Sequence, residues 1–546
     1  MRPRSLALAL AAGLALADGS IVTLALPEIR TELDTTVEGV AAVIGVYTLV
    51  LALALLPLER LGRRVGLHVV GAGGLGLMAL ASIVCALAGD VTTLLIARGA
   101  QALGGAGGLV AAFALIGGGA DGHGRRAWVT AAVLGTAIGP ALGGALTQAF
   151  SWSAIFVFQA PVAAIAAVAC LAAPVHPPAV AGVDVRFAWR PALGLALVSA
   201  ALSAVLFLLV LLLVAGWSVS PLRAALAVTV IPLGALIGAR IHGDPWKRAS
   251  AGSALIGGGV LALAWLPDAH LAWTIAPQAL AGVGMGLALT ALGGDLLPER
   301  TPHDAARVLG VRHAGIAVIL AVLAPLAADR LDAATRVARE RGVAAILDAR
   351  LAPQDKLAIA PRLLDGVRRD DPRAGLRAAV AAQRSRFAPG SARAEYDRLG
   401  ARADDTLVNA VGEAFRTSFI VAGLAGLAAA ALLARVRTSP AVVGVALGLA
   451  VPAPLAYALA HRSIAASPPA IRDPCDPRAL PRTPGVDGFV QDRLLELLDD
   501  AACRYGSSRE ELLLALLDAD DARRFQERHG VDVGALGGVL SALLGR

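Results

Sequence analysis

The sequence predicts an all-α protein that crosses a membrane many times. Of 546 residues, 57% are hydrophobic and only 16% are charged, against about 25% in soluble domains. Apolar runs of about twenty residues recur along the chain, and at 1.5 Å per residue each is long enough to cross a hydrocarbon core of about 30 Å. Ala, Gly and Arg dominate, while lysine is confined to Lys247 and Lys356, a composition typical of a GC-rich bacterial genome.

The first run, Ser5 to Pro27, follows Arg2 and Arg4 and contains Ala15-Leu16-Ala17, which imitates a signal peptide with its cleavage site. The apolar run continues past that point, so it reads as an uncleaved first helix. Further candidate spans lie at 38–58, 67–89, 91–116, 126–149, 152–173, 191–216, 220–241, 249–266, 272–294, 305–328, 413–435 and 439–461, about thirteen in all. With the N-terminus inside, the inner loops hold Arg2, Arg4, Arg60, Arg63, Arg64, Arg125, Arg126, Arg186, Arg190, Arg240, Lys247, Arg248, Arg300, Arg307, Arg435 and Arg437. The short outer loops hold only Arg30 and Arg223. The positive-inside rule then fixes the orientation, and the same asymmetry accounts for the formal charge of +7 without any nucleic acid. Residues 330–412 and the tail after Arg462 fall outside.

Four stretches of the first half are informative together. Asp18-Gly19-Ser20-Ile21-Val22-Thr23-Leu24-Ala25-Leu26-Pro27 resembles the D-x-T-I-V-N-V-A-L-P stretch of helix 1 in drug:proton antiporters of the major facilitator superfamily. Arg98-Gly99-Ala100-Gln101-Ala102-Leu103-Gly104 is similar to the helix 4 motif R-x-x-Q-G-x-G, with Ala102 replacing a glycine. Gly135-Thr136-Ala137-Ile138-Gly139-Pro140-Ala141-Leu142-Gly143-Gly144 resembles the helix 5 antiporter motif G-x-x-x-G-P-x-x-G-G at every fixed position. Trp152-Ser153-Ala154-Ile155-Phe156 with Pro161 looks like the W-R-W-I-F…P opening of helix 6. More loosely, Gly216-Trp217-Ser218-Val219-Ser220-Pro221-Leu222 resembles the G-Y-S-P-L turn between helices 7 and 8. The resemblance covers roughly 5–330 and 413–435.

Two departures stand out. Between helices 2 and 3 the family pattern is G-x-L-A-D-R-x-G-R-R, whereas this chain has Glu59-Arg60-Leu61-Gly62-Arg63-Arg64-Val65-Gly66-Leu67-His68. In the register that aligns Gly66, Arg63 stands where the gating aspartate belongs; in a register shifted by four residues, Glu59 supplies the acid. Relatives with fourteen helices carry two extra spans between helices 6 and 7, where only Pro174 to Arg190 stands here.

The resemblance therefore implies a major-facilitator fold of two six-helix halves, with one appended transmembrane helix and a small helical extramembrane domain. The expected boundaries are 1–173 for the first half, 174–190 for a cytoplasmic loop, and 191–435 for the second half with an extracytoplasmic helical insert at 330–412. The appended helix takes 436–462, and an extracytoplasmic linker and helical domain take 463–546. Implied with the fold are alternating access and proton-coupled efflux of an amphipathic small molecule across a bacterial cytoplasmic membrane, with protons, substrate and lipid as partners and no cofactor. The chain holds no metal-ligand cluster, nucleophile triad or phosphate loop, and no enzymatic chemistry is expected of it. A degenerate transporter fold that anchors the exported C-terminal domain, acting as a sensor or recruiting an envelope partner, is the alternative from another class.

Asp18 and Arg98 are the leading site residues. At helical rise Asp18 lies about 13 Å from the Pro27 end of helix 1, and Arg98 about 10 Å into helix 4 from Val91. Ionisable groups within a bilayer face the bundle interior and pair. Two readings fit: a proton carrier, Asp18, tuned by Arg98, or a structural ion pair locking two helices. His313, six residues after Arg307 in helix 11, fits a proton relay or a hydrogen-bonded packing residue. Thr23, Tyr47, Gln101, Gln148, Gln159 and Gln278 are polar groups within spans that could line a cavity or bond a neighbouring helix. The glycines of the helix 5 motif permit close backbone approach. Gly139, Gly143 and Gly144 are expected to touch a helix of the other half. Cys85 and Cys170 read as apolar fillers, while Cys475 and Cys503, 28 positions apart in the exported tail, are expected to form a disulfide.

Overall fold

The computed structural model describes residues 3–117, 138–172, 188–297, 301–367, 371–434, 448, 450–466, 469–476, 480–481 and 485–533. Every regular element among them is helical. Arg2, Arg125, Arg126, Gly135, Arg186, Arg300, Arg435 and Arg437 lie outside the described residues, as do 439–447 and 449 of the expected span at 439–461 and most of the expected loop at 174–190.

Met1–Val214, Val219–Asp329 and Phe415–Ser463 form one compact unit. Helix α1 covers Pro3–Thr23. The expected end at Pro27 is corrected: the chain leaves the helix after Thr23, and a short α2, Leu26–Glu32, starts with the proline in its first turn, where its missing N–H leaves no bond unmade. Thr36 caps α3, Val37–Val65, accepting the Gly39 N–H at 3.2 Å. Gly66, at φ +101°, connects α3 to α4, Leu67–Ala86, a backbone conformation open chiefly to glycine. Helix α5, Val91–Gly117, lies against α4 at backbone distance: a Cβ on Gly74 would stand 2.8 Å from the Gly104 carbonyl oxygen. Residues 138–149 form α6, and α7 spans Ser153–Leu171.

The later helices follow a matching plan. Helix α8, Trp189–Leu211, ends in a π turn; α9, Pro221–Val228, and α10, Val230–Gly238, share one span. Asp244 caps α11, Pro245–Ala262, by accepting the Lys247 N–H at 2.9 Å. Helix α12, Ala272–Leu289, also ends in a π turn, and α13 runs Pro302–Asp348. Helices α11 and α12 repeat the glycine contact of α4 and α5, since a Cβ on Gly252 would stand 2.6 Å from the Gly284 carbonyl oxygen. Without a hydrophobic drive between helices in lipid, such close backbone approach supplies the packing energy.

Ten of the described helices are long and apolar enough to cross a membrane. Of the other three expected spans, 126–149 and 439–461 are described only in part. The third, 249–266, is α11 with a 3-10 extension at Leu263–Trp265, and its glycines and serines dilute its apolar character. Leu53, Leu80, Leu87, Ile96, Ile165 and Val168 are each more than 60% exposed, a surface suited to hydrocarbon rather than water.

Ala215–Ser218, Arg330–Ala414 and Ile464–Arg546 form the second unit. In the insert, α14, Pro353–Val367, and α15, Pro372–Gln383, join the ends of α13 and of α16, Ser391–Leu433. Arg373 clamps Asp404 through two bonds of 2.9 Å, while its Nη1 donates to the Trp217 carbonyl at 3.2 Å. After α17, Pro452–Ile464 in the first unit, the tail forms α18, Val486–Tyr505, α19, Arg509–Leu517, and α20, Ala519–His529. Ser508 accepts the Glu511 N–H at 3.0 Å, the bond that a serine three residues before a glutamate favours at a helix start. The stretch from Ser507 to Gly530 holds two helices, because Asp518 leaves helical geometry and caps α20 through the Asp520 and Asp521 N–H groups. Ala502, Leu512, Ala515, Phe525 and Val533 form the small core of this tail. Cys475 is disulfide-bonded to Cys503, and closing a loop of that length stabilises the folded state by roughly 3–4 kcal/mol in the chain-entropy account.

Lys356 of α14 is buried, its Nζ donating to the Leu347 carbonyl at 2.7 Å. Burial pushes its pKa down to about 8 from 10.5, against the pull of Asp348. Between those values the unfolded chain holds more protons than the folded one, so stability rises with pH there; below the lower value both states are protonated and the burial penalty is complete. Thermal unfolding of the full chain at pH 7.5 and 9.5 should show a stability gain from this group at the higher pH. Lys356→Met should remove that gain, and an unchanged pH response in the variant would refute the assignment.

Candidate functional site: a closed polar ring and the cavity beside it

Asp18 and Arg98 are both fully buried and paired. Arg98 Nη1 donates to Asp18 Oδ1 at 2.9 Å and Nη2 donates to Oδ2, a bidentate geometry that strengthens a charge-assisted pair. The two residues belong to a ring. Arg98 Nη1 also donates to Gln101 Oε1 at 2.6 Å, Gln101 Nε2 donates to Gln159 Oε1 at 2.6 Å, and Gln159 Nε2 returns to Asp18 Oδ1 at 2.8 Å. Each amide orientation is fixed by its neighbours, since flipping Gln101 would turn its NH2 against the guanidinium. Ser82 accepts a further bond from Gln101 at 2.9 Å, and Arg98 Nε donates to the Val43 carbonyl at 3.1 Å. The Tyr47 ring lies 4.3 Å from the guanidinium carbon. One group of polar atoms thus ties α1, α3, α4, α5 and α7 together. Removing either charge would leave the other buried and uncompensated, which costs about 3–5 kcal/mol.

A cavity lies alongside, bordered by α1, α3, α6, α8, α9, α10, α12 and α13. Of the expected cavity residues, Thr23 and Tyr47 line it; Gln101 and Gln278 do not. Gln101 is spent in the ring, and Gln278 is buried on α12 with its Nε2 donating to Thr274 Oγ1 at 2.9 Å. Asp18 does not reach the cavity either, although Gly19, Ser20 and Thr23 on the same helix do. Tyr47 touches both places: its ring faces Arg98, its hydroxyl donates to the Ala15 carbonyl at 3.0 Å, and it borders the cavity. His313 lines the cavity with its Nδ1 donating to the Leu309 carbonyl at 2.8 Å.

The helix 5 glycines require a correction. A Cβ on Gly139 would run into Ser20, and one on Gly143 into the Ile21 carbonyl, so both face α1 of the same half. Gly144 alone faces the other half, against Ala225 and Pro221 of α9. The reason is helical geometry: residues four apart share a face and adjacent residues do not. Pro140 lines the cavity.

At the end of α3, Glu59 is the buried acid. It accepts from Arg63 Nε at 3.0 Å and lies 3.0 Å from His303 Nδ1, near the start of α13. Arg60 and Arg64 are exposed, Gly62 packs on Leu67, and Gly66 makes the turn. Ser82, Ser199, Ser203 and His303 belong to none of the motifs singled out above. For the serines on α8, their spacing of four residues is a signal that they share one face.

The Major Facilitator Superfamily sequence profile matches residues 8–325. The multidrug resistance protein Stp of Mycobacterium tuberculosis is 33% identical over 153 residues, 27% of this chain and 28% of its own length. The methylenomycin A resistance protein of Streptomyces coelicolor is 30% identical over 241 residues, 43% of this chain and 49% of its own. The chain thus spans about half or less of the length of these curated relatives. In structure it is similar to a bacterial homologue of the human lysosomal transporter Spinster in an inward-facing, occupied conformation, with a TM-score of 0.56 at 17% identity over 79% of this chain and 95% of that one.

Gly143→Ala should lower the melting temperature of the purified protein, since the new methyl meets backbone of α1 that cannot swing aside; overpacking of this kind costs about 1–3 kcal/mol. Gly45→Ala, in α3 with nothing within 4 Å of the added carbon, should leave it level or raise it slightly. Equal effects of the two substitutions would show that the close α1–α6 approach does not hold the bundle.

Proposed function

The chain belongs to the Major Facilitator Superfamily, and from that premise we propose that it is a proton-coupled exporter of amphipathic small molecules, working by alternating access. The family and the described spans make it a multi-pass membrane transporter with a small-molecule substrate; coupling, direction and access are the proposal. Relatives named for multidrug and methylenomycin A resistance support efflux. The repeated glycine contact in α4–α5 and α11–α12 supports two six-helix halves, and the distribution of Arg and Lys supports an N-terminus in the cytoplasm and an exported second unit.

The observation that carries the reading is the closed ring around Asp18. A carboxylate there accepts three hydrogen bonds. Protonation turns one acceptor oxygen into a donor, breaks the bidentate pair and leaves Arg98 seeking another anion. Because α1 and α5 are held together by that pair, and α1 carries Gly19, Ser20 and Thr23 into the cavity, a proton on Asp18 changes the wall that a substrate meets. Glu59, Arg63 and His303 form the latch of the altered helix 2–3 loop, joining α3 to α13. The anchor alternative is not favoured, since it gives neither the ring nor the cavity a use.

In vesicles loaded with a pH dye, a panel of amphipathic compounds should drive proton movement through the wild type, and Asp18→Asn should reduce it at least tenfold while the protein still folds and binds. Proton movement that survives in the variant would reduce Asp18 to a structural pair.

A further inference from the structure

Two residues one turn apart on α17, Tyr457 and His461, bond it to the end of α11 and the start of α12, and no side chain of the helix is buried. The Tyr457 hydroxyl donates to the Trp273 carbonyl at 2.7 Å, and the two rings meet edge to face with centroids 6.0 Å apart. His461 Nδ1 lies 2.9 Å from the Leu266 carbonyl oxygen, and its Nε2 lies 3.1 Å from Nη2 of Arg416 on α16. Arg416 Nε donates to the Ala264 carbonyl at 3.3 Å, which ties α16 to the same end of α11. The hold of α17 on this corner thus rests on a few polar contacts rather than on buried side chains.

These partners fix the state of the imidazole. A carbonyl oxygen can only accept, so Nδ1 carries the proton and donates; a guanidinium can only donate, so Nε2 carries the lone pair and accepts. His461 is therefore neutral in this arrangement. A proton taken up at Nε2 would turn both ring nitrogens into donors and set an imidazolium N–H against a guanidinium N–H, two like charges at contact distance. The side chain is only partly buried, so protons from water reach it. Arg416 is the charged group that α16 presents to the ring, and Glu413, nearly one turn earlier on α16, pairs with Arg341 at 3.9 Å. In the turn between α11 and α12, Asp268 Oδ1 accepts the His270 N–H at 2.9 Å. On α17 itself, Arg462 follows His461 directly and adds a further positive charge.

We propose that His461 is a proton-operated lock: neutral, it fastens α17 to α11 and α16; protonated, it lets the helix go. The released form takes up the proton and the locked form does not, so acid moves the population toward release by the difference in proton affinity. An imidazole in water protonates near pH 6.5, so at about pH 5 the ratio of locked to released helix falls by up to about thirtyfold. On the orientation proposed above, the turn between α11 and α12 lies outside, and the acid that operates the lock is that of the outer medium. The lock is built from contacts of α17, away from Asp18 and the cavity, and goes beyond the transporter reading.

The test uses the full chain in lipid nanodiscs, with nitroxide labels on Leu459→Cys of α17 and Ile275→Cys of α12, both exposed sites, and with the buried free cysteines Cys85 and Cys170 replaced by alanine. Double electron-electron resonance reads the distance between the labels. At about pH 8 one short distance should dominate; at about pH 5 a second, longer distance should appear, the ratio of the two having fallen about tenfold or more. His461→Gln keeps one donor for Leu266 and one acceptor for Arg416 but takes up no proton, and it should hold the short distance at both values. His461→Ala should give the longer distance at both. The same distances at both pH values in the wild type, a pH response that survives in His461→Gln, or a short distance kept by His461→Ala would each overturn the inference.

Discussion

The bidentate contact between Asp18 and Arg98 is the constraint on which the first half of the chain depends. Apolar helices in lipid gain little from one another by hydrophobic burial, so rotation about their own axes is weakly specified by side-chain polarity. A buried charge removes that freedom. Asp18 fixes the face of α1, Arg98 fixes the face of α5, and Gln159 on α7 and Ser82 on α4 are drawn to the same point because every polar atom there must find a partner. The acid in the middle of an otherwise apolar helix is thus explained by geometry before any proton is considered.

Glycine contacts fix a second kind of order, distance rather than rotation. Where α6 meets α1, and where α4 meets α5, the absent side chains let backbone approach backbone. The second unit is held by other means. Arg373 with Asp404, Arg339 with Asp521, and Cys475 with Cys503 are the bonds of a small domain with a modest core, for which a covalent tie is a large share of the stability. One chain therefore carries two solutions to folding, each suited to its own surroundings.

The apolar runs, the glycine motif and the capping pair at Ser508 and Glu511 were open to sequence reading because each rests on local spacing. Asp18 and Arg98 stood out because ionisable groups are rare in spans. What spacing could not supply was partnership. Gln101, Gln159 and Gln278 looked alike in sequence, yet two of them close the ring and the third bonds Thr274 on its own helix. Helix 1 was read as reaching Pro27 because apolarity continues through Leu24 and Ala25, although hydropathy does not record the turn that begins α2. Arg63 and Glu59 each fit the family pattern in one register, and sequence spacing does not choose between them; what spacing could not show is that Glu59 is inside and Arg63 reaches back to it.

The separation of Asp18 from the cavity shapes how coupling has to work on the proposed function. A proton and a substrate that shared one carboxylate would compete by direct displacement. Here the carboxylate lies behind Tyr47 and Arg98, outside the cavity lining, so any competition passes through the position of α1 and of the Tyr47 ring. Coupling of that kind is a difference in free energy between two arrangements of the helices, and it is reciprocal: whatever substrate binding does to the proton, the proton does to the substrate by the same factor. It also frees the cavity from having to match the charge of the proton site. An acid in the middle of helix 1 then says nothing about whether the transported molecule is a cation, because the wall that the substrate touches is built from other residues.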